Sequence, residues 1–401
     1  MTIWHGCSAS WALTTCRGLG NCSGAPMSAD MDDQDRQRRA KRYEAIHNEI
    51  FVGEAVYTIL LLLAFLFSNG TDVLASTARN ISPNPWVYVA IYGAVVVIAT
   101  KVLFLPLNFF GDFYLERRFD LSNETFGAWA IDELKSLGLN LLLGVVILDV
   151  LYFFLRHAGG WWWVGAGFFF LLFGVAMSAL FPVLILPLFY KLQPLESESL
   201  RLKLTELAHR VGANVLGVYR MDMSAKTTKA NAAFAGLGRT KRIILGDTLL
   251  DKFAEDEIEV VMAHEMAHYQ HGDITKMILW GTMTTFIGLK VADIGMRGLE
   301  RVFQYNHLWD IEAFPLLALC LFVFGLVVTP INNAFSRSRE WKADAAALEL
   351  TANRDAFIRA MRKLAEQNLA DVSPHPAVEF LLHDHPSLAR RIAWAERWQR
   401  T

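Results

Sequence analysis

The sequence predicts an all-α polytopic membrane bundle of about six transmembrane helices carrying a small α+β insert. Three observations predict it. Of 401 residues, 53% are hydrophobic and 19% charged, against roughly a quarter charged in ordinary soluble domains. Mean hydropathy is positive, at +0.28. The apolar residues gather into six runs of about 20, the length that crosses roughly 30 Å of hydrocarbon, and long polar stretches remain in only a few places. The same composition excludes a disordered, collagen-like or disulfide-built chain, and a formal net charge of −2 gives no global attraction to nucleic acid. Cys7, Cys16, Cys22 and Cys320 form no C-x-x-C pair, so no thiolate metal site is indicated.

In chain order, residues 1–45 are a polar, basic leader expected to be disordered, without the apolar core of a signal peptide. A four-span membrane region follows over 46–192, with runs at about 49–68, 86–110, 137–156 and 161–190. Lys101 in the second run must snorkel or face protein. Pro182 and Pro187 predict a kink late in the fourth. Residues 193–273 are a polar insert of roughly 80 residues. Two further spans, at about 275–296 and 313–332, occupy 274–332, and Lys290 and Asp293 near the far end of the first of them are expected at the interface, with a wet cavity as the alternative. Residues 333–401 form a helical C-terminal region. Arg36, Arg38, Arg39, Lys41 and Arg42 precede the first span, and Arg117, Arg118 and Lys135 follow the second, which makes the N-terminal side the cytoplasmic one. Six crossings return both polar segments to that side, where their residues can share one site.

The chemistry concentrates just before the fifth span, in EIEVVMAHEMAHYQHGDI. His264, Glu265 and His268 form an HExxH pattern. Residues four apart lie on one helix face, so the imidazoles converge on one ion while Glu265 stands beside an open coordination position. Imidazole suits zinc, and a carboxylate next to metal-activated water suits a general base in hydrolysis. His271 does not continue the longer HExxHxxGxxH pattern, because Ile274 stands where that pattern needs histidine. A carboxylate from elsewhere is therefore expected as third ligand. The segment leaving the sixth span, NNAFSRSREWKADAAAL, supplies one: Asn333, Ser336, Arg337, Glu340 and Asp344 follow helical steps onto one face. Glu340 would complete a His-His-Glu site for one Zn²⁺ per chain. Asp344, one turn on, is placed to accept a hydrogen bond from a ligand histidine, with Asn333 as a second companion outside the ligand set.

HEMAH followed by Asn-x-x-Ser-Arg-x-x-Glu-x-x-Ala-Asp resembles the CAAX prenyl protease 1 family of integral-membrane zinc endopeptidases. LPLFYKLQPLESESL (186–200), KANAAFAGLGRTKRIILGDTLL (229–250) and HPSLARRI (385–392) carry the likeness further. The resemblance implies zinc on His264, His268 and Glu340, with Glu265 activating water. It also implies that His385 stabilises the oxyanion and that Arg391 meets the substrate's C-terminal carboxylate. Residues 215–222 and 241–247 read as short strands flanking the Gly- and Ala-rich NAAFAGLG, where an edge strand can pair with an extended peptide. The family places that strand beside its cleft, which makes Asn231 and Ala232 substrate contacts. Ala233 stands where the family usually has an aromatic residue, and eukaryotic members carry one further N-terminal span.

The expected function is thus a membrane-embedded zinc metalloendopeptidase with its site on the cytoplasmic side, acting on peptide or protein substrates, prenylated near their C-terminus, within the lipid bilayer and without nucleic acid. Two rivals stand beside it: a membrane quality-control protease needing no lipid, and a non-enzymatic sensor with a structural metal. A closed four-ligand site would favour the sensor. A protease cutting within the bilayer would place HExxH inside a span, whereas HEMAH precedes one.

Overall fold

A computed structural model describes residues 29–303 and 305–399. Six helical stretches are long and apolar enough to cross a membrane: Asp33–Phe67, Pro85–Arg118, Phe126–His157, Gly159–Phe189, Asp273–Phe303 and Ile311–Thr351. Each contains or closely overlaps one of the apolar runs, and most outrun it, because polar turns at the ends stay helical where they pack on protein.

The membrane region comprises α1 (Ala29–Phe67), the short α2 (Gly70–Ile81), α3 (Pro85–Asn108), the turn α4 (Glu116–Arg118), α5 (Phe126–His157), α6 (Trp162–Leu180) and α7 (Leu186–Phe189). Asn84 starts α3 by accepting from the Trp86 N–H, and Thr125 starts α5 by accepting from that of Ala128. Wide π-helical turns at Phe109–Leu115 and Phe181–Ile185 follow Pro106 and contain Pro182. The second falls at Pro182, where the sequence predicts a kink. Lys101 faces protein and pairs with Glu133. Lys290 and Asp293 pair with each other at 2.9 Å, and buried Asp293 also accepts from Trp162 Nε1 and Arg297 Nε at 2.9 Å. Asp293 therefore sits in a cage built by Trp162, Lys290 and Arg297.

The leader departs from expectation. Residues 1–28 lie outside the described residues, but from Ala29 the chain is already α1. Ala40 and Tyr43 pack with Leu115, Phe119, Leu121 and Leu369. Arg36 meets Glu366 at 2.9 Å, Arg39 meets Asp120 at 2.9 Å, and Glu44 meets His383 Nε2 at 3.1 Å. Arg36, Arg39 and Glu44 of the expected leader are thus paired with residues far along the chain.

Beyond the fourth span lie a four-stranded sheet and its helices: β1 (Leu192–Pro194), α8 (Glu198–Arg210), β2 (Val218–Met221), β3 (Ala232–Ala235), β4 (Arg242–Gly246), α9 (Asp247–Leu250) and α10 (Glu255–Gln270). Strand order is β1-β2-β4-β3, with β2 and β4 parallel and the other pairs antiparallel. The chain then forms α11 (Asp273–Phe303), α12 (Phe314–Thr351), α13 (Arg354–Gln367), α14 (Pro376–Leu382) and α15 (Leu388–Arg397). Ile243, Leu245, Ile258, Val260, Met262, Met266, Phe357 and Met361 form one core under the sheet, α10 and α13. A separate core, with Tyr92, Tyr152, Trp162 and Leu316 at its centre, holds the membrane helices together.

Candidate active site

The site forms where α10 crosses α12. Ala267 of α10 meets Ala343 and Ala346 of α12, all nearly without exposure. Small side chains at a crossing bring helix axes close, so groups on neighbouring turns, His264 and His268 on one helix and Glu340 and Asp344 on the other, come into contact. The start of α10 is secured by Glu257, which accepts the Ala254 N–H at 2.9 Å and pairs with Lys363 at 2.6 Å and Arg359 at 3.2 Å from α13. Its end is cut by Gly272 at φ +63°, a left-handed conformation that glycine adopts without strain. That turn places Asp273 at the head of α11 and aims it back at α10.

His264 Nε2 lies 3.2 Å from Glu340 Oε2, and His268 Nε2 lies 3.3 Å from Glu340 Oε1. The other ring nitrogens are committed: His264 Nδ1 lies 2.9 Å from Asp344 Oδ1, and His268 Nδ1 lies 3.2 Å from Asp273 Oδ2. Both imidazoles thus turn Nε2 toward one point. The three donor atoms lie within 4.8 Å of one another, and among the described residues the buried Glu340 Oε2 has no hydrogen-bond partner. A carboxylate oxygen in want of a donor, facing two imidazole nitrogens, fits a divalent cation with nitrogen and oxygen ligands. Burial disfavours charge on both rings, yet Asp344 and Glu340 outweigh it at His264 and raise it to about 10, while Asp273 and Glu340 raise His268 to about 9. A pocket this anionic accepts positive charge readily, and a metal binding there displaces protons.

His385 stands beside the cluster, Nε2 3.4 Å from Glu340 Oε1 and Nδ1 2.8 Å from Asp384 Oδ1. Burial works against its charged form, but Asp384 and Glu340 raise it above the ordinary histidine range. Glu265, half-buried, lies between the two histidines along α10.

Two residues are not where sequence reasoning put them. Arg391, expected to meet a substrate carboxylate, is 7% exposed and grips Asp344 instead, Nε to Oδ2 at 2.8 Å and Nη2 to Oδ1 at 2.6 Å. Its Nε and Nη2 are thereby engaged behind His264. Asn333 lies two helical turns before Glu340 and donates to the Leu381 carbonyl at 2.9 Å. With Arg337, which donates to the Glu379 carbonyl at 3.0 Å, it ties the end of α14 to α12 and so sets the approach of the His385 loop. Asp273 and Asp384 were missed. An acidic residue just past the glycine that ends the HExxH helix, and another next to His385, were the available signals.

Asn231 precedes and Ala232 begins β3, the outermost strand on the side of the sheet nearest α10, where Phe234 packs on Tyr269 with ring centres 5.6 Å apart. Asn231 accepts the Gly246 N–H at 2.9 Å. Alternation along an antiparallel ladder then turns the backbone groups of Ala232 and Phe234 away from β4, toward the open edge. Ala232 and Ala233 leave that edge clear of bulky side chains.

Comparisons with known proteins agree with this architecture. Residues 194–399 match Peptidase family M48, and residues 25–191 match the region described as CAAX prenyl protease N-terminal, five membrane helices. Four of the six span-length helices fall in that second stretch. An uncharacterized metalloprotease of Bacillus subtilis, YhfN, is 29% identical across 89% of this chain and 85% of its own. CAAX prenyl protease 1 of Saccharomyces cerevisiae is 30% identical across 72% of this chain and 67% of its own. The crystal structure of S. mikatae Ste24p shares the fold with a TM-score of 0.72 at 24% identity, over 92% of this chain and 91% of that one. The family likeness read from HEMAH and the α12 motif is borne out, and a family of this kind implies a metal. The chain belongs to Peptidase family M48 and is an integral, multi-pass membrane metallopeptidase of the CAAX prenyl protease type.

Proposed function

We propose that the chain is a zinc metalloendopeptidase that cleaves peptide bonds near the C-terminus of CAAX-type, prenylated, membrane-associated proteins from the cytoplasmic side. One observation carries the catalytic half: the Nδ1 atoms of His264 and His268 are both committed to carboxylates, which leaves both Nε2 atoms directed at Glu340. His264, His268 and Glu340 would hold the ion, and three protein ligands leave a coordination position open, as a catalytic site needs and a structural one does not. Bound zinc supplies Lewis acidity, which makes a water nucleophilic near neutral pH and polarises the scissile carbonyl.

The remaining work falls to the protein. Glu265 takes the proton of the attacking water and delivers it to the departing amide nitrogen. His385, its Nδ1 held by Asp384 at 2.8 Å, presents Nε2 to the oxygen that gains charge on the tetrahedral intermediate. Asn231, Ala232 and the open edge of β3 hold the substrate by its main chain, which suits cleavage of varied sequences. The substrate class rests on relatives named CAAX prenyl protease 1, and the sidedness on the basic residues that flank the first two spans.

Glu265→Gln is expected to keep fold and metal while hydrolysis falls by about 10²–10⁴-fold. Retained turnover in a metal-loaded variant would sink the mechanism. Cleavage of a prenylated C-terminal peptide beside its unlipidated twin tests the substrate class, and equal rates would remove the lipid requirement.

A further inference from the structure

The segment that leads into β3 is held from two sides. The Lys229 and Asn231 carbonyls face α9 and β4, accepting from Thr248 Oγ1 at 2.7 Å and from the Gly246 N–H at 2.9 Å. Ala230, between them, turns its own N–H and C=O the other way, as alternation along an extended chain requires. That is the edge to which Ala232 and Phe234 also present their backbone groups. At Ala230 the edge is closed by one side chain: Asn368 Oδ1 accepts the Ala230 N–H at 2.8 Å, and Asn368 Nδ2 donates to the Ala230 carbonyl at 3.2 Å. A side-chain amide thus makes the two bonds that a residue of a neighbouring antiparallel strand would make.

Two residues earlier the same side is taken as well: the Thr228 N–H donates to the Leu121 carbonyl at 3.0 Å, and the Thr228 carbonyl accepts from Gln367 Nε2 at 2.9 Å. In the opposite direction Ala232 and Phe234 carry no such cap among the described residues. Asn368 is held by a strained turn. It follows the last turn of α13, and beside it Leu369 stands at φ +49°, a left-handed conformation uncommon outside glycine. The Leu369 side chain is buried with Ala40, Tyr43, Leu115, Phe119 and Leu121, which offsets the strain and fixes the turn. Strain of this kind persists only where the surroundings over-determine it, and it concentrates where ligands are held.

We propose that Asn368 is a positioning residue that ends the substrate-pairing edge of β3 at Ala230 and so limits how much peptide can lie along it. This rests on the reading of β3 as the strand that holds the substrate. Phe234 packs on Tyr269 of α10, the helix that carries His264 and His268, so the stop lies a set distance from the bond to be cut. Main chain that reaches Asn368 must end there or leave the edge. Removing the amide frees the Ala230 N–H and C=O and adds one pairing position, which is two residues of peptide because edge-facing residues alternate. Nothing more is gained, since Thr228 stays occupied by Leu121 and Gln367.

The test uses the full-length protein with zinc and a prenylated C-terminal peptide lengthened by two or four alanines at either terminus, with kcat/KM for the original bond read by mass spectrometry of the products. Wild type is expected to accept extension at one terminus and to lose about tenfold at the other, where a pair of main-chain hydrogen bonds is forfeited. Asn368→Ala should recover cleavage at the original bond for the two-residue extension and not for the four-residue one. Asn368→Asp, which keeps a side chain of the same size on the edge, should keep the wild-type length profile. If Asn368→Ala does not fold, Asn368→Ser opens the edge in its place. Wild type indifferent to length at both termini overturns the proposal, and so does an opened variant that is slower on every peptide by one common factor, as a merely structural residue would give. N-methylation of the substrate amides separates this from the reading beneath it. Rates unchanged by every N-methyl group sink the pairing of substrate with β3 itself, whereas rates that fall while the opened variant keeps the wild-type length profile sink only the stop.

Discussion

Arg391→Gln is expected to loosen the metal without changing recognition of a substrate's carboxylate. Arg391 binds Asp344 through Nε and Nη2 at 2.8 and 2.6 Å, and Asp344 in turn lies 2.9 Å from His264 Nδ1. Asp344 is fully buried. Removing one partner of a buried ion pair costs about 3–5 kcal/mol, and a glutamine amide that restores one neutral hydrogen bond returns about 1 kcal/mol. Net destabilisation is therefore about 2–4 kcal/mol. Part of this reaches the ion, because losing a partner behind a ligand histidine typically lowers metal affinity about 10–100-fold. The assay is zinc competition against a chelator of known affinity, paired with kcat/KM at saturating zinc for peptides ending in a free acid or an amide. Wild type and variant should show the same acid-to-amide ratio while zinc affinity falls. A variant with unchanged zinc affinity and stability that has lost its preference for the free acid would refute the reasoning and restore Arg391 to the substrate.

Asp273→Asn tests the other histidine: its carboxylate lies 3.2 Å from His268 Nδ1, so zinc affinity should fall about tenfold or more, read in the same competition. Glu257 tests how the head of α10 is anchored. Burial raises its pKa, but Lys363, the Ala254 N–H and Arg359 prevail and hold it below the usual carboxylate range. A depressed folded pKa contributes stability that is fully present above the unfolded value of about 4.3 and is lost as pH falls through the folded value. The unfolding midpoints of wild type and Glu257→Gln should therefore differ most above about pH 5, and the gap should shrink as pH falls from about 4.3 through the lower folded value. A gap that stays constant with pH would assign the effect to packing.

Much of the architecture was legible because crossing a bilayer leaves a coarse signature. An uninterrupted apolar run needs no partner information to be recognised, and all six reappear as helices. The His264, His268 and Glu340 cluster was legible for a related reason: HExxH is local, with both histidines one turn apart on one helix, and only Glu340 had to be found at a distance. The edge strand was legible from small residues between two β-prone stretches, and β3 runs through them.

What escaped the sequence is the pairing of charges across distant segments. Arg36, Arg39 and Glu44 look like a solvated leader until Glu366, Asp120 and His383 are brought to them by folding. Arg391 illustrates the same limit at the site itself. An arginine six residues after a site histidine can point into the cleft or behind it, and helical spacing does not distinguish the two. The difference lies in Asp344, 47 positions away, whose two oxygens cannot remain buried and charged beside His264 without a matching fork. A buried carboxylate that orients a ligand histidine therefore creates a demand for a second, buried cation. Asp273 meets the same demand with Lys276 at 3.2 Å and Arg339 at 3.9 Å. Each histidine is thus backed by a carboxylate and each carboxylate by a cation, so the charge around the proposed metal position is balanced behind His264 and His268.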